Sequence, residues 1–204
     1  MKITPLPFFA SLFLFVFLDP SHGKKDERPN IIVFLVDDYD KPETSPYGGK
    51  VLTPNLDRLA KEGMICHNAH VTSTVCTPSR YTFLTGRYAS SSYSNTFLDE
   101  CPKGTQALPA FNVGLESDRM NVGQVLADAG YATGFVGKYH VHDTDHSKEG
   151  SLFGDLDVPK NAKYSDQLNK RKFKLEKLQR ELIKKNGFTW AKNIYWGNLK
   201  QPFK

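Results

Sequence analysis

The sequence predicts an α/β fold built on a mostly parallel sheet sandwiched by helices. Three observations carry that expectation. Asn30 to Val36 is an unbroken apolar run rich in Ile and Val, the pattern of a strand buried on both faces. Three later segments carry helix punctuation, and Tyr131 to Val136 follows the last of them as a second strand-like run. Strands alternating with helices place functional groups beyond the carboxyl ends of the strands, where Asp37, Asp38, Lys138 and His140 fall.

Each element has a local reason. In the first helix Thr53 is the expected N-cap, Pro54 the N1 residue, Leu56, Leu59 and Ala60 one face, and Gly63 the stop. Pro78 opens a second helix toward Gly86, with Cys76 just before its N-terminus. Ala89 to Ser117 has few periodic apolar positions and reads as a long surface loop. Val122, Val125, Leu126 and Ala129 form a third helical stripe after Asn121, closed by Gly130. Further along, Leu168, Leu175, Leu178 and Leu182 mark an amphipathic helix with lysines and arginines on its other faces.

Composition sets the class. The 204 residues, 39% hydrophobic and 24% charged, suffice for one globular core. Residues 1–23 are set apart: Lys2 precedes an apolar stretch from Phe8 to Leu18, followed by Ser21, His22 and Gly23, the three parts of a secretory signal peptide. As a helix that stretch reaches about 16 Å, against a hydrocarbon core of about 30 Å, so a permanent span is disfavoured and a secreted or periplasmic location is expected. Residues 24–204 form the remaining domain, with 159–204 basic and partly helical. From Lys160 onward 13 Lys and Arg face 3 acidic residues, within a net charge of +5 for the whole chain. That block is either a solvated surface or a contact for a polyanion. Nucleic acid is a poor fit for an exported chain without a reader motif.

Three cysteines, Cys66, Cys76 and Cys101, allow at most one internal pair. No Cys-x-x-Cys spacing exists for zinc or redox exchange, and Cys76 is the one expected to carry chemistry. The Asp37-Asp38 pair at a strand end would repel unless a hard cation sat between the carboxylates, which favours calcium or magnesium over zinc. Taken alone, such a pair is as readily a turn.

Cys76-Thr77-Pro78-Ser79-Arg80, followed by Leu84-Thr85-Gly86-Arg87, closely resembles the sulfatase signature. Asn30 to Asp38 resembles that family's first strand and metal pair, Thr53 to Ala60 its first helix, and Gly137-Lys138-Tyr139-His140 its sulfate-contacting block. The resemblance covers residues 29–142 well and 143–204 loosely. It implies an alkaline phosphatase-like fold, incomplete in this chain, and a sulfuric ester hydrolase working on a sulfated small molecule or polysaccharide. It further implies that a maturation enzyme converts Cys76 to formylglycine, that Asp37, Asp38 and the modified Cys76 contact a divalent cation, most readily calcium, and that Arg80, Lys138 and His140 act on the sulfate. A helix N-terminus suits an anion and a deprotonated hydroxyl, and a guanidinium one turn along suits an oxyanion. A cysteine phosphatase would need an arginine six residues after the cysteine, where Thr82 stands. The alternatives are a phosphatase or phosphonate ester hydrolase of the same superfamily, and an inactive fragment that only binds sulfated polyanions. His67, His70, His142 and His146 are read as structural or exposed.

Overall fold

The computed structural model describes residues 28–141 and 166–195. The chain divides into two compact units, residues 1–38 and residues 39–204. The signal-peptide segment, Leu168's side chain, His142 and His146 lie outside the described residues.

In the first unit Asn30 to Val36 forms no strand ladder among the described residues, and Ile32 and Phe34 are 88% and 87% exposed. The expected doubly buried strand is therefore not formed. A β-run of this kind becomes a central strand only where neighbouring strands take up its N–H and C=O groups and layers cover both faces.

The second unit contains short 3-10 turns at 41–43, 45–47 and 89–91. Its helices are α1 (Pro54–Glu62), α2 (Cys76–Thr85), α3 (Asn95–Glu100), α4 (Val122–Asp128) and α5 (Asp166–Lys185). Its strands are β1 (Gly134–Lys138) and β2 (Trp190–Tyr195), which pair in parallel, so the α/β expectation holds. Parallel strands need a crossover, and α5 lies between them in the chain and packs on β2. The register slips between Val136 and Gly137 because Asn193, at φ 51°, is an extra residue in β2. Thr133 and Thr189 clasp the mouth of the pair: each backbone N–H donates to the other's Oγ1, at 3.1 and 3.0 Å.

Helix punctuation behaves largely as the sequence indicates. Asn121 caps α4 in a capping box with Gln124, its Oδ1 accepting from Gly123 N and Gln124 N. Gly86 closes α2 in the left-handed conformation, donating to the Thr82 carbonyl at 2.8 Å. At α1 the Thr53 hydroxyl does not cap; it pairs with Ser45 Oγ, which in turn donates to Asp57. No residue of α1 is buried.

The segment from Ala89 to Ser117 is not a surface loop throughout. It contains α3 and buries Phe97, Cys101, Val113, Leu115 and Glu116. Phe97, Val113 and Leu115 join Tyr81, Leu84, Tyr139, Val141, Ile183, Phe188, Ala191 and Ile194 in one core. Phe135 meets Tyr139 and Phe188 edge to face, with centroids 5.4 Å apart in both pairs. Helix α5 turns a different face inward from the one its leucines suggest. Gln179 and Ile183 are fully buried, whereas Leu175, Leu178 and Leu182 are half-buried. Gln179 Oε1 and Nε2 find no partner among the described residues, a buried polar cost that no periodicity argument anticipates.

One polar network anchors α2. The buried Glu116 carboxylate accepts from Tyr81 Oη at 3.0 Å, Ser92 Oγ at 2.8 Å and Tyr93 N at 2.7 Å. Arg119 donates to Tyr81 Oη at 2.6 Å and to the Ser91 carbonyl at 2.9 Å, with its guanidinium over the Tyr93 ring. Burial and the Glu116 charge push the Tyr81 phenol up from near 10 to about 12. Burial also raises Tyr139, whose hydroxyl accepts from Asn186 Nδ2 at 2.9 Å.

Two predictions follow from this packing. At Gly187 (φ 87°) an added Cβ would lie 2.4 Å from Gln124 N, whereas at Gly104 (φ 87°) it would meet nothing within 4 Å. Gly187→Ala should lower the unfolding free energy by more than about 2 kcal/mol, and Gly104→Ala by about 1 kcal/mol, read from urea midpoints. The second concerns alkali. Both phenols hold their protons more tightly folded than unfolded, so their contribution is intact below about pH 10 and declines above it, Tyr81's being lost as the pH passes about 12 and the more deeply buried Tyr139's persisting higher. Thermal melts across that range should show the decline, and Tyr81→Phe should flatten it.

Candidate active site

The site starts from a helix that begins without a side-chain cap. Val75 is extended, its N–H bonded to Ser73 Oγ at 3.1 Å, and Cys76 is the first residue of α2, which begins two residues ahead of Pro78 rather than at it. The first-turn N–H groups of a helix have no intrahelical partner, and Pro78 in that turn removes one of them, so Cys76 sits at a positive dipole end. The Thr77 hydroxyl oxygen, fully buried, finds no partner among the described residues.

Two contacts join this helix to the segment after β1. Cys76 Sγ lies 3.4 Å from His140 Nδ1, the imidazole tautomer deciding which of them donates. One turn along α2, the buried Arg80 donates from Nη1 to the Lys138 carbonyl at 2.7 Å. Cys76, Arg80, Lys138 and His140 are thus gathered on two facing pieces of chain. Lys138 is buried at 5% exposure, which removes water from around an ammonium and strengthens its field at short range. Strand β1 ends at Lys138, and His140 lies beyond it with φ 54°, so strand alternation does not place its ring.

Asp37 and Asp38 belong to the first unit, Asp37 half-buried and Asp38 exposed with φ 52°. Consecutive carboxylates offer only oxygen donors, which fit calcium or magnesium in kind. They supply part of a shell: among the described residues no group of three or more His, Cys, Asp or Glu is arranged to hold a metal. The three cysteines are all free thiols, Cys66 exposed, Cys76 half-buried and Cys101 buried. His67 is exposed and meets Tyr47 edge to face, and His70 is exposed.

Two features of the site have no clear signal in the sequence. Phe111, 66% exposed, sets its ring 5.6 Å from that of His140. Nothing in its local pattern foretells that contact. Glu116 fixes Tyr81, the residue after Arg80; a lone acid following Val113, Gly114 and Leu115 is a faint hint of a buried carboxylate. Among the described residues no helix is long and apolar enough to cross a membrane.

Known proteins share this pattern. The profile of the family described as Sulfatase matches residues 29–197. Human steryl-sulfatase is 37% identical over 150 residues, covering 70% of this chain and 24% of that protein. The N-acetylgalactosamine-6-O-sulfatase of Bacteroides thetaiotaomicron is 37% identical over 121 residues, covering 59% of this chain and 22% of its own length. A solved structure described as a sulfatase from that bacterium's glycosaminoglycan-metabolism locus aligns at 34% identity with a TM-score of 0.43, covering 56% of this chain and 22% of that one. The chain therefore spans about a quarter of the length of the curated relatives it matches. With the family profile matching most of its length and the Cys76 signature at the start of α2, this chain belongs to the sulfatase family.

Proposed function

We propose that the chain is the nucleophile-bearing part of a sulfuric ester hydrolase, with Cys76 matured to formylglycine. The observation that carries this reading is the contact of Cys76 with His140 at the start of α2, backed by the link from Arg80 to the segment that bears Lys138. A hydrated aldehyde at position 76 presents two hydroxyls. The helix N-terminus favours the deprotonated form of one of them and the approach of a sulfate. His140, within hydrogen-bond reach of the side chain at 76, is placed to take or give its proton. Lys138 and Arg80 supply positive charge for an oxyanion, although Arg80 already spends one N–H on the Lys138 carbonyl.

Asp37 and Asp38 would serve as oxygen ligands of a divalent cation, calcium or magnesium by the kind of donor they offer. When bound, such an ion polarises a sulfate oxygen and lowers the pKa of an attacking hydroxyl. Export by residues 1–23 and a secreted or periplasmic location belong to the same proposal, as do a formylglycine-generating enzyme as maturation partner and a sulfated small molecule or polysaccharide as substrate.

Co-expression with a formylglycine-generating enzyme should give an aldehyde at residue 76, read by peptide mass spectrometry and trapped by a hydrazide. The matured chain should then hydrolyse 4-nitrophenyl sulfate in calcium or magnesium. Cys76→Ala should abolish that turnover, and Arg80→Lys, which loses the planar fork, should lower kcat by roughly 100-fold. An unmodified thiol at position 76 in an active preparation would sink the proposal. Faster turnover of 4-nitrophenyl phosphate than of the sulfate would move the assignment to phosphoester chemistry.

A further inference from the structure

The outward face of α5 carries a straight row of lysines. Lys170, Lys174, Lys177, Lys184 and Lys185 are all exposed. Their spacings of four, three and seven residues, with Lys185 adjoining, keep them on one side of a 3.6-residue helix. The opposite side holds the fully buried Gln179 and Ile183. The row is about 22 Å long at about 1.5 Å per residue, and Lys170, Lys177 and Lys184 recur every seven residues, or about 10.5 Å. One acid, Glu181, lies within it, 3.6 Å from Lys184. Arg180 is turned sideways, paired with Glu176 at 2.8 Å.

We propose that this face is a binding surface for a linear sulfated polysaccharide, held along α5 by regularly spaced lysines. A single phosphate or lipid headgroup needs convergent donors, whereas this row is extended and repeats at a spacing comparable to a disaccharide. A membrane-seeking helix would offer its apolar side outward. Here that side is packed inward, and Phe173, 72% exposed, is the sole large apolar side chain fully displayed among the described side chains of α5. The helix is also anchored to the candidate site. Just past its end, Asn186 Nδ2 donates to Tyr139 Oη, between Lys138 and His140 in sequence. A polymer on α5 is thereby held by the same body that carries Cys76. The choice of sulfate as the polymer's anion rests on the proposed hydrolase reading; the charge row does not depend on it.

The test uses the full chain and heparin, with desulfated heparin and phosphatidylserine vesicles as comparison probes. Titration calorimetry at about 0.15 M salt should show binding to heparin, weakening steeply as salt is added. Lys170→Gln, Lys174→Gln, Lys177→Gln and Lys184→Gln together should reduce heparin affinity at least about tenfold and flatten the salt dependence. A second variant removes the same charge from exposed lysines elsewhere, at positions 50, 61, 103 and 192. It should bind nearly as the parent does. Equal losses in both variants, equal binding of desulfated heparin, preference for the vesicles, or no heparin binding at all would each overturn the proposal. Turnover of 4-nitrophenyl sulfate and the aldehyde at residue 76 are read separately, so failure here leaves the hydrolase reading standing, and failure there leaves the α5 result intact.

Discussion

The bond from Arg80 to the Lys138 carbonyl is the interaction on which the candidate site depends. A guanidinium at 8% exposure costs free energy to remove from water, and it stays charged inside a protein. It therefore needs acceptors at fixed positions, and the end of β1 supplies one at 2.7 Å. That constraint ties the first turns of α2 to the stretch following β1. The contact of Cys76 with His140 lies between the same two stretches of chain. The same helix is fixed from its other side by Glu116, whose carboxylate gathers Tyr81, Ser92 and the backbone of Tyr93. Two buried charges, one on each flank, thus govern how α2 is seated.

Much of this was legible in the sequence where the determinants are local. Asn121 ahead of α4, and Gly86 after Thr85, mark helix ends because capping is decided within a few residues. The signature around Cys76 likewise survives as a helix start, since proline near the first turn and an uncapped entry are short-range effects. The elements that departed from expectation are those whose state is set by distant partners. Asn30 to Val36 has the composition of a central strand, yet composition does not provide the neighbours that pairing requires. Leu175, Leu178 and Leu182 give α5 a plausible apolar stripe, but the helix is rolled so that Gln179 and Ile183 are buried instead. Phe97, Val113 and Leu115 look aperiodic in a row of serines and prolines, and only the packed core explains their burial.

The site itself divides in the same way. Which residue types are present was readable; how they meet was not. His140 reaches Cys76 from a left-handed backbone position rather than from a strand, and Phe111 comes to its ring from a segment with no periodic signal. The carboxylates Asp37 and Asp38 offer the right kind of donor for a hard cation and too few of them, a shortfall that follows from counting oxygens.

The parallel pairing of β1 with β2 also bears on how the chain reaches its native state. Thr133 and Thr189 are 56 positions apart, so the clasp between them cannot close until the intervening polypeptide has been gathered in. Such loop closure is entropically slow to initiate, and the reward arrives late. During synthesis, β1 leaves the ribosome well before its partner exists. For that interval its hydrogen-bonding edge has no β-partner, so the pairing of Gly134–Lys138 has to wait for the crossover through α5 to be completed.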